Sequence, residues 1–139
     1  MNIISDSIRQ DREYAQILSS IEEQFRQKPQ PLIISGLSGG AVGAFYISLV
    51  MDLSEKYKKC ILIAAADERE AAKIVSYLFA EGIRAYLYPV RDFVLYNISA
   101  SHELEHERLS VLSALKNGDA EVVVTTPDAQ LSADICTNF

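Results

Sequence analysis

Residues 32–43 read Leu32-Ile33-Ile34-Ser35-Gly36-Leu37-Ser38-Gly39-Gly40-Ala41-Val42-Gly43. A short apolar run leads into a glycine turn, and an apolar helix follows over residues 41–54. A turn of this kind between strand and helix is where backbone N–H groups and a helix N-terminus hold a phosphate. The working pattern, G-x-x-x-x-G-K-S/T, adds a lysine for the β- and γ-phosphates and a hydroxyl for magnesium. Laid on Gly36, it puts Ala41 at the second glycine, Val42 at the lysine and Gly43 at the hydroxyl. The anion-friendly backbone is kept, and both groups that handle triphosphate and metal are gone. Loss of one electrostatic stabiliser commonly costs about 10²–10³ in rate. Residues Gly36, Leu37, Ser38, Gly39, Gly40, Ala41, Val42 and Gly43 therefore read as a degenerate phosphate loop without hydrolytic power.

Before this stretch, residues 6–27 place Tyr14, Ile17, Leu18, Ile21 and Phe25 at helical spacing, ended by Pro29 and Pro31. After it, residues 60–66 (CILIAAA) form a continuous apolar run, the pattern of a parallel strand covered on both faces. Asp67 and Glu70 make a capping box, and Ala71, Ile74, Val75, Leu78 and Phe79 form a buried helical stripe closed by Gly82. Residues 83–88 are a further strand stopped by Pro89. A polar-aromatic loop over 90–100 leads to a helix over 101–116, ended by Asn117-Gly118. Residues 121–125 are a fourth strand, and Thr126-Pro127 supply the N-cap and first position of a last helix. Strands alternate with helices, which predicts an α/β fold: a mostly parallel sheet flanked by helices, of P-loop NTPase type. The predicted division is an N-terminal amphipathic helix over 1–30 packed on an α/β domain over 31–139. The chain stops just after a helix start, as expected of a domain truncated at its C-terminus.

Two further patterns carry chemistry on paper. Gly36, Ser38 and Gly40 also spell G-x-S-x-G, the nucleophile elbow, with His102 or His106 and Asp67 or Asp92 as nominal triad partners. That elbow normally follows several strands, one of which supplies the oxyanion loop, and here only a helix precedes. His102-Glu103-Leu104-Glu105-His106 is a literal H-E-x-x-H. Histidines at i and i+4 share a helix face and would bind zinc with Glu103 as general base, the basis of an alternative reading as a metallopeptidase. The charged Glu105 and Glu107 instead mark a solvated face, with Leu104, Arg108, Val111, Leu112 and Leu115 turned inward. The sequence thus predicts no catalytic residue, no metal and no cofactor.

The 139 residues suffice for one core without staples. A net charge of -6 and a pI near 4.9, with no basic run, argue against a strong free-standing DNA binder. Cys60 and Cys136 lie far apart in a chain without a secretory signal, so Cys60 reads as a buried reduced thiol. No 18-residue apolar stretch exists, no membrane partner is expected, and the predicted compartment is the cytoplasm.

Taken in order, these residues resemble the N-terminal, UvrB-like domain of the bacterial transcription-repair coupling factor family (Mfd). The resemblance rests on Gly36-Leu37-Ser38-Gly39-Gly40-Ala41, on the apolar run before Asp67-Glu68-Arg69-Glu70-Ala71-Ala72, and on Tyr88-Pro89. Glu107-Arg108-Leu109 and Val122-Val123-Val124-Thr125-Thr126-Pro127-Asp128-Ala129 extend it, so that it covers residues 32–133. It implies a non-catalytic scaffold for UvrA recruitment, which couples stalled RNA polymerase to nucleotide-excision repair. It also implies that ATP-driven translocation on DNA belongs to motor domains of the parent protein. In that family the UvrB-like module has a silent phosphate loop, with which Val42 and Gly43 agree, and an adjoining domain carries most of the UvrA contact.

Overall fold

The computed structural model describes residues 3–27, 30–89 and 98–130. The chain divides into two compact units, Met1–Met51 and Asp52–Phe139.

The first unit holds α1 (Ile3–Arg9), α2 (Arg12–Arg26) and the start of α3 (Gly40–Tyr57), whose last turns belong to the second unit. The single helix predicted over 6–27 is in fact two. Asp11 leaves the helical region (φ -73°, ψ 138°), and its carboxylate accepts the Glu13 N–H at 2.7 Å, capping α2. α1 closes with the Asp11 N–H donating to the Ile8 carbonyl at 2.9 Å. Tyr14 is buried and meets Phe45 of α3 edge to face, ring centres 6.0 Å apart. The buried Ser48 hydroxyl donates to the Ala44 carbonyl at 2.8 Å and lies 3.2 Å from the Ser5 carbonyl, which joins α3 to α1. Phe25, predicted inward, is largely exposed.

Residues 32–35 correct the prediction most sharply. They form no strand, and Ile33 is 90% exposed. A strand exists only when a neighbour takes its N–H and C=O groups, and the described residues of this unit hold no other strand. The apolar run without a partner remains extended coil.

The second unit contains β1 (Ile61–Ala64), α4 (Glu68–Ala80), β2 (Ala85–Leu87), α5 (Ile98–Asn117), β3 (Val122–Thr125) and α6 (Pro127–Gln130). The three strands form a parallel sheet in the order β1-β3-β2, with Leu62 and Tyr86 both opposite Val123. The predicted α/β class with helices around a parallel sheet holds, with three strands rather than four among the described residues. β3 lies at the centre and is fully buried. Val123 joins Tyr88, Val111, Ala114, Ala120 and Ala129 in a cluster, while α4 packs on β2 and β3. Alternation turns Val122 and Val124 to the other face. β1 departs from the prediction of cover on both faces: Leu62 is 39% exposed and Ala64 is exposed. Both sit on the Val123 face at the sheet edge.

The helix ends follow their local chemistry closely. Asp67 caps α4 through the Glu70 N–H at 2.8 Å, and the Glu70 carboxylate accepts the Ala66 N–H at 2.8 Å. At the other end Gly82 (φ 80°) donates to the Phe79 carbonyl and Ile83 to that of Leu78, a Schellman closure. α5 ends the same way around Gly118 (φ 75°). Thr126 caps α6 by accepting the Ala129 N–H. Of the stripe predicted on α4, Ala71, Ile74 and Leu78 are buried, but Phe79 is 74% exposed.

Candidate functional site

The glycine loop lies in the first unit. Gly36 (φ 91°) and Gly39 (φ 57°) take left-handed backbone that other residues rarely adopt. The Ala41 and Val42 N–H groups donate at 3.3 Å to the Ser38 and Gly39 carbonyls as α3 begins. Residues 36–41 are exposed, Val42 is half-buried and Gly43 is buried. The turn and the helix start are therefore present, without the strand that precedes them in a phosphate-binding unit.

Beside the loop, Ser35, Gly36, Leu37 and Ala41 line a cavity of about 500 Å³ with Tyr14 and Phe45. The charged groups lining it among the described residues are Asp11 and Glu13. Two carboxylates with no lysine or arginine give a negative field, which disfavours a polyphosphate. Sequence patterning hides this, because both residues fall inside what reads as one continuous helix.

The alternative motifs fare differently. Ser38 is exposed, lacks the preceding strand of an elbow, and belongs to the first unit, whereas Asp67 and His106 belong to the second. Asp92 lies outside the described residues. On α5, Glu103, Glu105, His106 and Glu107 are exposed, while Arg108 and Val111 are buried and Leu112 and Leu115 pack on the core. The His102 side chain lies outside the description. Among the described residues, no three His, Cys, Asp or Glu side chains are grouped to hold a metal. Nothing here supports a metallopeptidase.

Among the described residues of the second unit, Arg108 is the buried charge. Its guanidinium lies 4.3 Å from the centre of the Tyr88 ring, and Nη1 donates to the Pro89 carbonyl at 2.9 Å. A desolvated cation over an aromatic face is worth about 2 kcal/mol. The hydrogen bond from a charged donor adds about 1.5–3 kcal/mol. Tyr88-Pro89 and Arg108, distant in sequence, thus form one cluster at the end of β2. Burial pushes the Cys60 thiol above its ordinary pKa, partly offset by backbone hydrogen bonds from Val123 and at Ile61.

The second unit is an α/β fold with a small parallel sheet, and the first carries a glycine-rich turn with Val42 and Gly43 where a nucleotide-hydrolysing loop has lysine and a hydroxyl. Over 127 residues, 89% of this chain, the sequence is 28% identical to the transcription-repair-coupling factor of Bacillus subtilis (strain 168). The chain spans about 10% of that protein's length. No family model matches the sequence, and no solved structure matches it. Among the described residues no helix is long and apolar enough to cross a membrane.

Proposed function

We propose that this chain is a non-catalytic scaffold segment of a transcription-repair coupling protein. The observation that carries the reading is the 127-residue match to the Bacillus subtilis coupling factor, long enough to run through both compact units. The loop chemistry agrees with it. Val42 and Gly43 stand where a nucleotide-hydrolysing loop needs lysine and a hydroxyl, and Asp11 and Glu13 line the adjoining cavity. In this reading the segment is a degenerate P-loop domain that supports UvrA recruitment and the coupling of stalled RNA polymerase to excision repair. Movement on DNA is left to motor domains elsewhere in the parent protein.

The test replaces the matched tenth of the Bacillus subtilis factor with this chain and measures UvrA retention and ATP-driven release of stalled RNA polymerase. Both activities are expected to survive, and the chain alone is expected to turn over no Mg·ATP. A folded chimera that hydrolyses ATP but neither retains UvrA nor releases polymerase would overturn the reading. ATP turnover by the chain alone would do the same.

A further inference from the structure

In the second unit a cavity of about 340 Å³ opens at the N-terminal edge of the parallel sheet. Its wall combines the end of α3 (Ser54, Lys58), the entry to β1 (Lys59, Cys60), Arg84 before β2 and Glu121 before β3. Three cations face it in a chain whose net charge is -6. Among the described residues the carboxylate that lines it is Glu121, and it is already engaged. Glu121 Oε2 accepts the Arg84 N–H at 2.8 Å and lies 3.5 Å from Arg84 Nε. Lys58 and Lys59 have no ion-pair partner among the described residues, which leaves a local positive excess.

Two independent details point to an occupant. The Ser54 hydroxyl is shut off from solvent and has no hydrogen-bond partner among the described residues, and a buried polar atom left unpaired is costly. The second detail is Lys58 itself. α4 and α5 both end on a left-handed glycine, Gly82 and Gly118, whereas α3 ends on Lys58 at φ 51°. Its N–H donates to the Ser54 carbonyl at 3.0 Å, so the helix is closed as a glycine would close it. The lysine side chain is therefore carried at a backbone cost that glycine avoids.

We propose that Ser54, Lys58, Lys59 and Arg84 form a binding site for a small phosphomonoester dianion. Ammonium, guanidinium and hydroxyl donors match the oxygens of a tetrahedral dianion, and the cavity has room for a compact organic group beside the phosphate. A phosphodiester of a nucleic-acid backbone offers the same oxygens with one charge fewer, so the test separates the two.

The experiment is an amide NMR titration of the chain with inorganic phosphate, with chloride at matched ionic strength and with dimethyl phosphate. Phosphate is expected to shift the Lys58, Lys59, Cys60 and Arg84 amides saturably, with the diester binding much more weakly. Lys58→Gly relieves the left-handed lysine and so keeps the fold. It is expected to melt no lower than wild type, yet lose roughly tenfold in phosphate affinity, the worth of one charge-assisted hydrogen bond. Shifts equal to those with chloride, equal binding of the diester, or undiminished phosphate binding by Lys58→Gly would each overturn the proposal.

Discussion

Two stretches of this chain look alike on paper and end differently. Leu32-Ile33-Ile34-Ser35 and Val122-Val123-Val124-Thr125 are each three aliphatic residues and a hydroxyl, and each leads through a turn to a helix. The second is the central strand of a parallel sheet, paired on both edges and wholly buried. The first is exposed coil with no strand beside it among the described residues of its unit. The difference lies in the partners, not in the residues. A strand signal states that a segment suits a sheet, and only a neighbouring edge makes it one. The functional consequence is direct. The glycine turn after Ser35 follows no strand among the described residues of its unit, and Val42 stands where a phosphate loop carries its lysine.

Placing the same charge in both runs separates them most sharply. Val123→Asp buries a carboxylate in the core and is expected to unfold the second unit, a loss above about 4 kcal/mol in urea denaturation. Ile33→Asp is expected to change stability by less than about 0.5 kcal/mol, as at other exposed sites. Equal effects would mean that the two runs share one environment. Next in size is Arg108→Ala, which removes the cation over Tyr88 and the donor to Pro89. A loss of about 2–4 kcal/mol in thermal melting is expected.

A smaller effect tests the helix closures that frame the sheet. Gly82 has φ 80° and open space where a Cβ would stand. Gly82→Ala should therefore show the backbone penalty alone, about 1–2 kcal/mol. The mildest expectation concerns Cys60. Its raised pKa means that the folded state favours the neutral thiol. Its contribution is fully present below the unfolded pKa and is lost as pH rises through the folded one. Alkylation at pH 8 should be slower in the native chain than after denaturation, and equal rates would show the thiol to be unburied.

Much of the second unit is legible from residues because its signals are local or periodic. Asp67 with Glu70, Gly82, Gly118 and Thr126-Pro127 act within one turn of chain, and each does what its chemistry dictates. The inward stripe of α5 follows from 3.6-residue spacing. What escapes depends on neighbours remote in sequence. The exposed face of β1, the outward Phe79 and the strand order are set by where the helices land. Asp11 escapes for another reason: its neighbours continue the helical period on both sides, and the cap interrupts backbone without interrupting pattern. At the glycine loop the missing lysine is plain in the sequence. The absent strand and the acidic cavity wall require the fold.

Residue-resolved amide hydrogen exchange, with and without Mg·ATP, reads the two runs and the glycine turn in one experiment. Val123 and Val124 should exchange only on unfolding of their unit. Ile33, Ile34 and the amides of residues 36–40 should exchange almost unprotected, and stay so when Mg·ATP is added. Protection of Ile33 and Ile34 to the level of Val123 would show that the first run is a paired strand, and protection of the glycine loop on adding Mg·ATP would show that it holds nucleotide.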